Sequence, residues 1–128
     1  MPSTDVFTVE SWGQTKGAHA MLQELQIEVL RPGADIALRG RLDVRTAPTV
    51  RAALHLLIDG GIGDVLVHGE ALEIWDSCGL GVLVGAHRRA RQAGRRVVLT
   101  GLPARELRLL RATRLNRVFT VEPVVASA

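Results

Sequence analysis

Aromatic side chains are nearly missing from this sequence: two Trp, two Phe and no Tyr, 3% of 128 residues. Proteins that hold single-stranded nucleic acid stack its bases on aromatic rings, and this chain has few to offer. Cysteine is scarcer still. Cys78 stands alone, which excludes an internal disulfide or a paired-cysteine zinc site and fits a reducing compartment. No apolar run is long enough to span a bilayer as a helix. Residues 1–17 carry Asp5 and Glu10 and lack the apolar stretch of a secretory signal. The expected location is the cytoplasm, with no membrane partner. A charge excess is missing too: a formal net charge of +3 gives no argument for direct nucleic-acid binding.

What is present is the composition of an ordinary soluble domain, 47% hydrophobic and 23% charged, in a chain long enough to close one core. Residues 1–20 show no clear period and read as a flexible leader, or alternatively as an extra edge strand; 21–122 read as one domain and 123–128 as a tail. Leu25, Ile27 and Val29 alternate with Glu24, Gln26 and Glu28, the period of a half-buried strand. Arg31-Pro32-Gly33-Ala34 predicts a turn, after which Ile36 and Leu38 resume the alternation as a hairpin. Thr46 is placed as a helix N-cap with Pro48 in the first turn. Ala47, Val50, Leu54, Leu57 and Ile58 then share one helical face, and Asp59-Gly60-Gly61 stops the helix. Val65-Leu66-Val67 suits a buried strand, and 71–75 reads as a connection. From Leu80 a second helix puts Leu80, Leu83, Val84 and His87 on one face, with Arg88, Arg89 and Arg91 in its last turn and Gly94 at its end. Val97-Val98-Leu99 is a further buried strand. Pro103 opens a helix carrying Leu107 and Leu110, and 118–121 reads as a short final strand. The order β-β-α-β-α-β-α-β folds as a mixed sheet with helices packed on it.

Catalytic chemistry finds little support. His19, His55, His68 and His87 include no pair at helical ligand spacing, so no metal site is expected. Ser77 lacks the first glycine of Gly-x-Ser-x-Gly. Gly79-Leu80-Gly81 with Gly85 misses the dinucleotide spacing by one residue, and no Walker lysine is present. No catalytic residue and no cofactor are assigned. Arg88, Arg89, Arg91, Arg95 and Arg96, and then Arg105, Arg108, Arg111 and Arg114, read as solvated helix faces in the absence of stacking aromatics.

One polar interruption remains, Asp76-Ser77-Cys78-Gly79-Leu80-Gly81, where the second helix begins. Ser77 is positioned there as an N-cap, worth about 1 kcal/mol, and that alone would account for it. The same place suits a phosphate, because free backbone N–H groups and the helix dipole favour negative charge. Phosphorylation adds about −1.5 to −2 charges. With Asp43 and Asp76 nearby, it would repel a docked partner while leaving the fold intact. Cys78 reads as a small residue rather than as a redox centre.

Four segments together resemble the STAS-domain anti-anti-sigma factors, also called anti-sigma factor antagonists. They are Arg39-Gly40-Arg41-Leu42-Asp43 with Thr46-Ala47-Pro48; Asp76-Ser77-Cys78-Gly79-Leu80-Gly81-Val82-Leu83; Arg95-Arg96-Val97-Val98-Leu99; and Leu115-Asn116-Arg117-Val118-Phe119. The resemblance covers roughly residues 25–121. It implies an α/β fold, a STAS-like mixed β-sheet of four to five strands with helices packed mainly on one side, and a regulatory rather than enzymatic role. It also implies a partner that is both anti-sigma factor and serine kinase of the GHKL ATPase type. The unphosphorylated domain would bind this partner and so release a sigma factor. Phosphorylation at Ser77 would end the binding, and a PP2C-type phosphatase would restore it. Asp43, Thr46, Asp76, Cys78, Gly79, Leu80 and Gly81 would form the partner-binding set around Ser77. Two departures stand out: Cys78 where many members carry a second serine, and His68-Gly69 where many carry Asp-Leu. Two other roles stay open, a structural or ligand-sensing part of a larger assembly such as a stressosome or lipid-transport complex, and a serine hydrolase at Ser77.

Overall fold

The computed structural model describes residues 25–123 in full and the backbone of 6–8; the rest of the expected leader and tail, and residues 21–24, lie outside the described residues. Strand β1 (Val6–Thr8) pairs antiparallel with β2 (Leu25–Arg31), so part of the leader adds an edge strand. Strand β2 turns back into β3 (Asp35–Leu42) through a turn closed by the Ala34 N–H on the Arg31 carbonyl at 2.9 Å. Alternation sets the register: Ile27 stands opposite Leu38 and Val29 opposite Ile36, so the apolar sets of both strands share the core face. Helix α1 (Ala47–Asp59) leads to β4 (Val65–His68) and β5 (Leu72–Ile74). Helix α2 (Ser77–Gln92), β6 (Val97–Thr100), α3 (Ala104–Ala112), a short 3-10 turn (Leu115–Arg117) and β7 (Thr120–Glu122) follow.

The sheet runs β1-β2-β3-β4-β6-β7, with β5 also paired to β3. Strands β3, β4, β6 and β7 are parallel, and each crossover steps the same way along the sheet. Right-handed crossovers in one direction lay their helices on one face, and the core fills the space between. Leu38, Leu54, Ile58, Leu83, Leu99 and Leu110 are all fully buried there. Phe119, against the edge of the His87 ring at 5.8 Å, is the core's one aromatic among the described residues.

The α/β class, the mixed sheet and the one-sided helices are as expected; several details differ. The sheet has seven strands rather than four to five. Residues 71–75 are not a mere connection, because Leu72 and Ile74 bury on either side of exposed Glu73 and pair with Gly40–Leu42. The last strand begins at Thr120, after the 3-10 turn, with Val118 exposed. On α2 the buried seam is Gly79, Val82, Leu83, Ala86 and Ala90, and Leu80, Val84 and His87 lie at its margin. Small residues take the centre because α2 packs closely against α1.

Arg95 is the largest departure. It belongs to no solvated face: it is 5% exposed. Its guanidinium spends all five N–H donors on backbone carbonyls: Gly63 at 2.8 Å, Leu57 at 3.1 Å, Ile58 at 2.7 Å, Ile62 at 3.2 Å, and Gly33. Two of these close the C-terminal end of α1, where a cation also opposes the helix dipole. The others tie in the β2–β3 turn and the 60–64 loop. Arg95→Met is expected to lower the unfolding free energy by about 3 kcal/mol or more, since it strands buried acceptors of a charged donor. Arg95→Lys should recover only part of it, having three donors on a point charge. The measure is the urea midpoint at unchanged m-value.

Two histidines make stability depend on pH. Burial, then Arg91 and Arg88, holds the His87 imidazole below its ordinary 6.5. Burial, with Arg89 and Arg51 outweighing Asp59, does the same at His55. Well above pH 6.5 both rings are neutral in either state and contribute no slope. As the pH falls below it, the unfolded chain binds protons that the folded chain resists, and stability declines until the folded rings titrate. His87→Gln is therefore expected to flatten the fall in thermal midpoint between about pH 7 and pH 5.5; parallel curves for the two proteins would contradict the assignment.

Candidate functional site

The C-terminal ends of two neighbouring parallel strands, β3 and β5, deliver the loops that make the site. The Trp75 N–H donates to the Leu42 carbonyl at 3.0 Å, so the sheet pairing carries through to the residue before Asp76. After Leu42 the chain folds into a tight polar turn. The Asp43 carboxylate accepts from the Arg45 N–H at 2.9 Å and the Thr46 N–H at 3.2 Å. The Thr46 hydroxyl donates to the Arg41 carbonyl at 2.9 Å and accepts from the Asp43 N–H at 3.0 Å. Thr46 does sit at the N-cap position of α1, but its hydroxyl makes no cap bond to the helix. It is 1% exposed and holds the turn instead.

Asp76 joins this turn to α2. One carboxylate oxygen accepts from the Val44 N–H at 3.0 Å, and the other accepts from the Gly79 N–H at 3.0 Å. Asp76 is thus the N-cap, its extended backbone (φ −156°, ψ 179°) entering the helix. The serine expected to cap is instead the first helical residue, and no hydrogen bond commits its hydroxyl among the described residues. Ser77 and Cys78 are exposed, as is Gly81. Leu80, Asp43 and Asp76 are half-buried. Of the residues expected at a partner surface, Thr46 and Gly79 are buried and shape the loops from within; neither presents a side chain to a partner.

Four further residues stand here that sequence reasoning did not assign to the site. Trp75 is 49% exposed, with the Arg41 guanidinium 4.0 Å over its ring and its indole N–H on Glu73 at 3.0 Å. Val44, 59% exposed, stands on the adjoining turn. A cavity of about 400 Å³ opens beside Ser77, lined by Trp75, Asp76, Leu80, Arg105 and Glu106 among others. Glu106 is 2% exposed, and its carboxylate accepts from the Ile74 N–H at 3.2 Å. The alternation Leu72-Glu73-Ile74 was the available signal for Trp75, since it makes β5 a strand that ends at the site. No local pattern pointed to Arg105 and Glu106, which reach the site from α3. No histidine lines the cavity, so no base for a serine hydrolase stands there. No three His, Cys, Asp or Glu residues group as a metal site among the described residues.

The STAS domain family matches residues 25–128. An anti-sigma-B factor antagonist of Listeria monocytogenes is 36% identical over 91 residues, covering 70% of this chain and 79% of that protein. This chain belongs to the STAS-domain anti-sigma factor antagonist family. Two solved structures share its fold, both at 20% identity and covering 80% of this chain. One is the anti-sigma factor antagonist SpoIIAA in its unphosphorylated form, at a TM-score of 0.64 over 89% of its length. The other is the Bacillus cell fate determinant SpoIIAA in the phosphorylated form, at 0.60 over 92%. The family's role is regulatory, exercised by switching protein partners. No helix among the described residues is long and apolar enough to cross a membrane.

Two glycines of the STAS motif do different work. A Cβ on Gly79 would lie 2.5 Å from the Leu42 carbonyl oxygen, whereas one on Gly81 would meet nothing within 4 Å. Close approach of α2 to the end of β3 therefore requires glycine at 79 only. Gly79→Ala is expected to cost about 3 kcal/mol as backbone must shift in a packed core, and Gly81→Ala to stabilise by roughly 0.5–1 kcal/mol as an exposed helical glycine. Chemical denaturation of both variants checks the contrast.

Proposed function

We propose that this STAS domain binds an anti-sigma factor that is also a serine kinase of the GHKL ATPase type, and that phosphorylation of Ser77 ends the binding. The observation that carries this reading is the exposed Ser77 hydroxyl at the first position of α2, left uncommitted because Asp76 makes the cap. A kinase can reach such a hydroxyl without unfolding the helix. Its Oγ would attack the γ-phosphorus of ATP; the new O–P bond replaces the β–γ bridge, ADP leaves, and the hydroxyl proton is released. A PP2C-type phosphatase would hydrolyse the ester and restore docking.

The docking face on this reading comprises the start of α2 with Ser77, Cys78, Leu80 and Gly81, and the turn bearing Asp43 and Val44. Exposed Val44 and Trp75 supply the apolar anchors that interface centres favour. A phosphate set among them introduces about −1.5 to −2 charges where the partner must remove water. The known phosphorylated form of SpoIIAA is consistent with a modification of this kind.

The experiment incubates the full chain with the GHKL-type kinases of its own cell and ATP, and maps the phosphate by mass spectrometry. Modification at Ser77, abolished in Ser77→Ala, is expected. By calorimetry Ser77→Ala should bind the kinase as the unmodified protein does, and Ser77→Asp at least tenfold more weakly, about 1.4 kcal/mol. Phosphate at another residue, or equal affinities for the two variants, overturns the reading. Stable co-purification with partners that are not kinases would favour a structural role in a larger assembly.

A further inference from the structure

The cavity beside Ser77 holds a cation that neither capping nor the core employs. Arg105 lies at the start of α3, its side chain 61% exposed. Among the described residues, the one carboxylate close to it is that of Glu106, at 3.7 Å, too long for a hydrogen bond. Glu106 is itself committed, buried and accepting from the β5 backbone at Ile74. The two residues line the same cavity as Asp76 and Ser77, and its volume of about 400 Å³ leaves room for a phosphoryl group with waters.

We propose that Arg105 is the residue that receives the phosphate on Ser77, swinging from its loose contact with Glu106 across the cavity. The inference rests on Ser77 being the phosphoacceptor and names what the modified site does next. The charges lining the cavity require such a partner. Asp76 and Glu106 are both acidic, both fixed by backbone hydrogen bonds, and unable to move away. A phosphate dianion placed beside them has Arg105 as the single cation in the lining. A guanidinium matches phosphate oxygens in pairs, and the arginine gives up one 3.7 Å contact to the buried Glu106 carboxylate, which keeps its hydrogen bond from the Ile74 N–H. In the modified state the arginine bridges the starts of α2 and α3 and covers the cavity mouth. The partner then meets a closed surface as well as a new charge.

The test separates this assignment from the phosphoacceptor reading. Phosphoserine is installed at position 77 by genetic encoding in the full chain, so that no kinase is needed, and the second phosphate ionisation is followed by phosphorus NMR. The titration midpoint with Arg105 intact is expected about half a pH unit or more below that of Arg105→Gln, with Arg105→Lys between them. Coincident titrations for the parent and Arg105→Gln, or a shift that Arg105→Lys does not partly reverse, overturn the role of Arg105. That result would leave Ser77 phosphorylation standing. Failure of the kinases to modify Ser77 would remove the phosphoacceptor reading without touching the NMR comparison. Melting curves of the unmodified variants establish that each is folded.

Discussion

The carboxylate of Asp76 fixes everything at the working end of this molecule. Among the described residues it is the only side chain that hydrogen-bonds both the turn after β3, through the Val44 N–H, and the first turn of α2, through the Gly79 N–H. Its two oxygens point to two elements, so neither can shift without breaking a charge-assisted hydrogen bond, the stronger kind. The fit of Gly79 against the Leu42 carbonyl sets the distance between the same two elements. One residue supplies the tie and the other the clearance. Between them they define where Ser77 stands relative to Asp43, Val44 and Trp75.

A second tie works at the other end of the sheet. Gly33 precedes β3 and Leu42 ends it, so the Arg95 cluster and the Asp76 bridge lie at opposite ends of the same strand. Arg95 is a buried cation with no carboxylate partner among the described residues, a costly arrangement unless every donor is met. Here all five are met by carbonyls, two of them, Leu57 and Ile58, at the C-terminal end of α1. Arg95 therefore anchors the fold at the end of β3 remote from Ser77, as Asp76 and Gly79 do at the near end.

Much of this was legible in the sequence, and the exceptions share a cause. The hairpin, α1 and the buried strands announced themselves because Leu25, Ile27, Ile36 and Leu38, or Val50, Leu54 and Ile58, repeat at the period of their element. Strand β5 was hidden because three residues are too short to display a period, although Leu72 and Ile74 do flank Glu73. The α2 seam was misread because weight went to large apolar residues, while close packing selects small ones, Ala86 and Ala90 along the helix and Gly79 against the Leu42 carbonyl. The cap position at Thr46 was read correctly, although its hydroxyl serves the turn rather than the helix. The cap at Ser77 was misread: Asp76 was equally suited, and the choice between neighbours depends on the Val44 N–H, 32 residues away in the chain. Arg95 looked like surface charge because its five acceptors come from separate loops and a helix end. No local pattern can announce a site assembled from distant carbonyls, or a cavity wall contributed by α3.

The division of labour between Asp76 and Ser77 bears directly on how a switch can be built at a helix start. A hydroxyl that also caps the helix would be bound to a backbone N–H, and transfer of a phosphoryl group to it would compete with the bond that holds the first turn. Placing the cap one residue earlier removes that competition. The Asp76 cap does not involve the hydroxyl of residue 77, and the N–H groups of Ser77 and Cys78, which precede the first intrahelical hydrogen bond, are placed to face an added anion on the proposed reading. The fold therefore has little reason to change on modification, and the information must be read from charge and shape at the surface. In such a domain the discriminating element belongs at the edge of the docking face, where an anion is compatible with the folded chain and incompatible with a desolvated partner. An arginine within the same cavity fits that requirement as proposed, because it would hold the added anion at the start of α2, at the place where a docking partner would have to remove water.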